Sequence, residues 1–147
     1  MDFTPDIREL TDGQEALAAA ALLELRPHLG DAAAVAARAR RQRPAGYRLV
    51  AAFEPGQEEA AGAAGFRIGE NLAWGRHLYV DDLSTRAAHR GRGHGAALLR
   101  WLADTARAEG CGELHLDSGV QPERESAHRL YFGERLRIAS FHFSRPV

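Results

Sequence analysis

Gly91, Gly93 and Gly95 alternate along the chain between a stretch with strand character and one with helical character. Nothing else in this sequence restricts the backbone so tightly. The segment runs Leu83-Ser84-Thr85-Arg86-Ala87-Ala88-His89-Arg90-Gly91-Arg92-Gly93-His94-Gly95-Ala96-Ala97-Leu98-Leu99. Glycine allows positive φ and removes the Cβ atoms that would hold a ligand away from the main chain. The first N–H groups of a helix lack internal partners and lie at the positive end of its macrodipole. Together these features predict a cradle for a pyrophosphate. Arg90 and Arg92 would add charge-assisted hydrogen bonds to it, and Ala96 completes the first helical turn.

The elements around this turn define its setting. Ile7 to Leu10 reads as the end of a first strand, followed by a capping box at Thr11-Asp12-Gly13-Gln14 and a helix that stops at Pro27. Gly30-Asp31 starts a second, Ala-rich helix, ended by Arg43-Pro44 and Gly46. Strands follow at Tyr47–Phe53, Ala61–Ile68 and Trp74–Thr85, separated by Glu54-Pro55-Gly56 and by Asn71. After the glycines come a helix from Gly93 to Glu109, a strand over Glu113–Ser118 and a helix from Glu123 to about Arg135. An alternating strand over Ile138–Ser144 closes the chain. The predicted order is β-α-α-β-β-β-α-β-α-β, a mixed α/β sheet with helices on both faces. Residues 1–147 show no repeat, linker or boundary and read as one domain.

Two other readings of the glycines compete with the phosphate cradle. One is a loop that merely turns a strand into a helix, but the interleaved Arg residues argue for an anion. The other is a dinucleotide fingerprint, Gly91-x-Gly93-x-x-Ala96 with Asp117 further on. That fold begins with its glycine turn and adds βα units afterwards, whereas here only two strands remain after residue 91 and three precede it in succession.

Charge and composition narrow the partners. The formal net charge is −1, which provides no field to attract nucleic acid or an anionic membrane. All 19 basic residues are Arg, so anion sites must use forked guanidinium groups or backbone amides. Cys111 is the only cysteine, so no intramolecular disulfide forms, and it reads as an inert thiol. The 7 His residues lack HxxxH or HExxH spacing, so no metal is expected. The first residues lack the basic and apolar regions of a signal peptide, and no apolar run reaches membrane-spanning length; the expected location is cytoplasmic. Arg38, Arg40, Arg41 and Arg43 complement a helix C-terminus. Trp74 and Trp101 read as packing residues.

The chain resembles the GCN5-related N-acetyltransferase (GNAT) superfamily. Its coenzyme A signature, Gln/Arg-x-x-Gly-x-Gly/Ala, is matched by Arg90-x-x-Gly93-x-Gly95. Leu83-x-Thr85, the pair Leu98-Leu99 and Ala127-x-x-Leu130-Tyr131 also fit the family pattern, as does the order of elements. Ser140-Phe141-His142-Phe143 is similar to small bacterial members. Two positions depart: Arg135-Leu136 replaces the usual Gly-Phe, and Ala87 the usual Pro.

The resemblance implies an acetyl-CoA-dependent N-acetyltransferase acting on the primary amine of a small molecule. A protein or peptide amine and a non-catalytic acetyl-CoA sensor are the alternatives, and a homodimer is compatible with each. Backbone groups of Leu83, Ser84 and Thr85 would pair with the pantetheine arm, and N–H groups from Arg90 through Gly91, Arg92, Gly93, His94 and Gly95 would hold the pyrophosphate. The strands carrying Asp82 and Leu116 would splay to form the groove, and the amine would attack the thioester directly. Asp82 is the first choice for the base and Asp81 the second, since neighbouring strand residues face opposite sides. Tyr131 would be the acid for the departing thiolate. His77 and Tyr79 share a face with Asp81 and are candidates for the acceptor pocket, which the resemblance places around residues 24–34 and 70–77.

Overall fold

A strand that is apolar at every residue after its first must be covered on both sides, and Arg48–Phe53 (β2) meets that condition. Leu49, Ala51 and Phe53 enter one buried cluster, while Val50 and Ala52 enter another on the opposite face. A computed structural model describes residues 3–147 of the chain. Its sheet has five strands in the order β1-β2-β3-β4-β5, adding Asp6–Leu10 (β1), Gly62–Asn71 (β3), Gly75–Thr85 (β4) and Glu113–Leu116 (β5). Neighbours are antiparallel except β4 and β5, which run parallel.

The helices divide between the two faces, as expected. Ala16–Leu25 (α1) and Ala32–Gln42 (α2) cover one, and His94–Ala108 (α3) with Glu125–Gly133 (α4) cover the other. Ala18, Ala19 and Ala21 are fully buried, so α1 approaches the sheet through small side chains. Asp31 caps α2 by accepting from the Ala34 amide at 2.8 Å. The predicted capping box forms in part: the Gln14 side chain accepts from the Thr11 amide at 2.8 Å, but α1 begins only at Ala16.

Strand β4 departs from regular pairing in two ways. Gly65 pairs with Asp82 and Phe66 with Val80, so Asp81 is an extra residue without an opposite partner, a β-bulge. Pairing with β5 ends at Val80–Leu116, whereas β4 stays paired with β3 to Thr85. The last five residues of β4, 81–85, therefore have an open edge on the β5 side.

The expected closing strand over Ile138–Ser144 does not form. That segment makes no ladder with β5, and Ile138, Phe141 and Phe143 are 76%, 87% and 91% exposed. Its alternation is that of a half-buried strand, but alternation alone supplies no neighbour to pair with.

Leu78 lies at the centre of β4 and is fully buried. Leu78→Ala is expected to lower stability by about 2–5 kcal/mol, read from urea unfolding, through lost transfer energy and the cavity left behind.

Candidate active site

The bulge decides the geometry of the acidic pair. Regular alternation would send Asp81 and Asp82 to opposite sides, but the extra residue rotates the strand between them and both line one cleft. This corrects the expectation that only one could face the groove. The cleft, about 480 Å³, lies between α1, α2 and β4, with Arg26, His28, Arg38, Gln42, Tyr47 and Tyr79 in its walls. Of the residues expected around the acceptor, Arg26, His28 and Leu29 line this cleft and none of 70–77 does. His77 is instead buried, its Nδ1 2.9 Å from the Gly75 carbonyl oxygen.

Each carboxylate has a distinct set of partners. Asp82 accepts from the Tyr47 hydroxyl at 2.7 Å and pairs with Arg26 at 3.0 Å. Tyr47 reaches it only because residue 65 is glycine, since a Cβ there would stand 1.8 Å from the phenol oxygen. Burial and the adjacent Asp82 charge push the Tyr47 hydroxyl far above the ordinary tyrosine range, so it stays protonated and donates. Asp81 accepts from Arg67 at 2.8 Å, yet burial holds its carboxyl above the usual carboxylate value despite that partner. The Tyr79 hydroxyl donates to Asp117, just beyond β5, and burial raises that phenol as well.

Beyond Asp82 the chain passes Leu83, Ser84 and Thr85 into the glycine turn. The Arg86 amide donates to the Ala61 carbonyl, so strand alternation turns the N–H and C=O groups of Leu83 and Thr85 to the open edge. Consistent with this, the Thr85 carbonyl accepts from the Arg90 side chain at 3.3 Å. Gly91 and Gly93 have φ of +76° and +87°, with no atom within 4 Å of where a Cβ would stand. The helix α3 starts at His94 without a side-chain cap. Among the described residues, no acceptor in the protein meets the amides of Gly91, Arg92, Gly93, His94, Gly95 or Ala96.

Two side chains of this turn reach a buried carboxylate. Glu54, 7% exposed, pairs with Arg92 Nη1 at 2.7 Å and His94 Nε2 at 2.7 Å, and lies 3.0 Å from His89 Nδ1. Burial works against its charge, but the His94 bond, the nearby His89 ring and the Arg92 charge outweigh it, lowering its pKa from 4.5 to about 2. The Arg92 guanidinium and the His94 ring thus meet an internal carboxylate, while the amides of 91–96 are left without a partner in the protein. Glu24 holds the turn's entrance, accepting from the Ala87 amide at 2.7 Å.

Tyr131 lies on α4 and is not in the wall of the Asp81/Asp82 cleft. It is buried against the sheet's other face, and its oxygen accepts from Arg124 at 3.3 Å. Burial raises its pKa and Arg124 opposes the rise; the phenol is protonated at neutral pH. The helix carrying it touches the glycine turn, where a Cβ on Gly95 would meet Leu130 at 2.7 Å. Arg26, Tyr47 and Glu54 escaped the sequence reading because each reaches its partner through tertiary contact. Only the Pro-Gly turn directly after Glu54 marked its neighbourhood.

The family model described as "Acetyltransferase (GNAT) family" matches residues 14–135. An uncharacterized N-acetyltransferase, YhdJ, of Bacillus subtilis is 37% identical over 102 residues, 69% of each chain. Streptothricin acetyltransferase of Streptomyces lavendulae is 41% identical over 54 residues, 37% of this chain and 29% of that protein. Among solved structures, the aminoglycoside N-acetyltransferase AAC(6')-Iy in complex with CoA superposes with a TM-score of 0.78 at 17% identity, covering 97% of this chain and 95% of that one.

If Glu54 anchors the turn as a carboxylate, its contribution to stability is complete above pH 4.5 and is lost as pH falls toward about 2. The stability gap between wild type and Glu54→Gln is expected to be widest near neutrality and to narrow over that acid window. A gap that is constant or grows on acidification in chemical-denaturation series would reject this role.

Proposed function

This chain belongs to the acetyltransferase (GNAT) family and is an N-acetyltransferase, and we propose that it acetylates the primary amine of a small molecule bound beside Asp81 and Asp82. Members of the family use acetyl-CoA as donor. The observation that carries the reading is the row of unpartnered amides from Gly91 to Ala96 at the start of α3. Such a row needs an anion or water, and open space above Gly91 and Gly93 leaves room for a diphosphate. The open edge at Leu83 and Thr85 is suited to an extended, amide-bearing arm that pairs as a strand does. Acetyl-CoA would supply an acetyl group activated as a thioester.

The protein's own groups would then handle protons and position. An alkylamine with a pKa near 10.4 is protonated at neutral pH, and freeing its lone pair costs about 4–5 kcal/mol. Asp82, steadied by Tyr47 and Arg26, would take that proton as the amine nitrogen bonds to the acetyl carbon. Asp81, with its raised pKa, is the second candidate base. When the carbon–sulfur bond breaks, the nitrogen would lose its second proton and the leaving sulfur gain one from Tyr131; the second proton restores the phenol, and the first passes from Asp82 to water. The cleft's size, within the ~300–1,000 Å³ of small-molecule sites, supports a small acceptor over a polypeptide. Residues 1–147 would form one transferase domain.

Thiol release from acetyl-CoA with a panel of aminophosphonates, polyamines and aminoglycosides tests the acceptor class and separates an enzyme from a sensor. Gly93→Glu is expected to abolish coenzyme A binding in calorimetry, because bulk and negative charge would enter the phosphate cradle; unchanged affinity would remove the site assignment. Asp82→Asn is expected to slow acetylation by about 10²–10⁴-fold below the amine's pKa and much less above it. A loss equal at all pH values would reject Asp82 as the base.

A further inference from the structure

We infer that the acceptor carries an anionic group, a carboxylate or a phosphonate, besides its amine, and that Arg38 is the residue that receives it. This rests on the reading that the cleft beside Asp81 and Asp82 holds the acceptor.

The cleft has more cations than its own carboxylates need. Asp82 already has Arg26 at 3.0 Å, and Asp81 already has Arg67 at 2.8 Å. Both guanidinium groups are committed further: Arg26 Nη2 donates to the Asp81 carbonyl at 3.1 Å, and Arg67 Nη2 to the Gln42 side chain at 2.5 Å. Arg38 brings a third guanidinium to the same cleft. Its main-chain carbonyl accepts from the Gln42 side chain at 3.2 Å, but among the described residues its guanidinium meets no acceptor. Other arginines at this end of α2 are occupied, Arg40 with Asp12 at 3.0 Å and Arg43 with Glu15 at 2.6 Å.

Helix geometry explains why Arg38 belongs to the cleft. Val35, Arg38, Ala39 and Gln42 all line it, and that spacing is one face of α2. His28, between α1 and α2, is exposed in the same wall and adds a second donor without a partner among the described residues.

Two carboxylates thus stand against three guanidinium groups, a surplus of one positive charge before any acceptor binds. A polyamine would add to that surplus. A molecule with an amine at one end and an anion at the other offsets it. The ammonium end lies against Asp82, and the anion meets the Arg38 fork, whose paired N–H groups suit a carboxylate or a phosphonate alike. Leu22, Leu29, Val35 and Ala39 give the connecting carbon chain an apolar wall.

The test compares thiol release from acetyl-CoA with β-alanine, γ-aminobutyrate and aminopropylphosphonate against the uncharged γ-aminobutyramide and the diamine putrescine. The wild type is expected to show a kcat/KM about tenfold or more higher for an anionic amine than for the amide or the diamine, the effect of one charge-assisted contact. Arg38→Ala should raise KM for the anionic amine by a similar factor, with a much smaller change in kcat and in the KM of the amide. Arg38→Glu should reverse the order and favour putrescine. The better of the carboxylate and phosphonate acceptors identifies the anion. Equal kcat/KM across the panel, a wild-type preference for the diamine, or an anion preference that persists in both variants overturns the inference and leaves acetyl transfer standing. Thiol release with none of these amines overturns both. If a variant lacks a cooperative thermal transition, the wild-type comparison decides.

Discussion

Everything about the site depends on β4 losing one neighbour before the other. Pairing with β5 stops at Val80, while pairing with β3 continues to Thr85. Backbone groups left without a strand partner must find another, and in this interval the β4 edge is open. The bulge at Asp81 sits where that asymmetry begins. One inserted residue turns two adjacent carboxylates to the same cleft, which a regular strand cannot do.

The glycine turn after β4 depends on a second constraint, the Glu54 carboxylate beneath it. A buried charge is tolerated only with partners, and Arg92 and His94 supply them from the turn itself. Their side chains are drawn inward, Glu24 holds the Ala87 amide, and the amides of residues 91–96 are left facing outward. The proposed anion site is therefore made chiefly of main chain, whose direction is set by the start of α3. That arrangement suits a diphosphate better than flexible guanidinium groups alone would, because the donors are oriented before the ligand arrives.

Much of this architecture was legible in the residues. The fold class, the helices on both faces and the family came through because periodicity and the Arg90–Gly95 signature are local properties of the sequence. The same local logic misled at two places. It closed the chain with a strand over 138–144 that has no partner within the molecule. It sent Asp81 and Asp82 apart, since the bulge arises from register against β3. It gave no sign that the Arg92 guanidinium meets Glu54 at 2.7 Å, 38 positions away in sequence.

By itself, the sequence determined which segments could be strand or helix and where a row of unpartnered amides at a helix start would fall. Side-chain period and glycine's freedom act over a few residues, so they can be read without a fold. Tertiary structure alone decided which charges meet. Asp82 with Tyr47 and Arg26, and Glu54 with Arg92 and His94, join residues 35 to 56 positions apart. Such pairs exist only once the sheet has brought distant segments within hydrogen-bond reach, and burial then makes each of them obligatory.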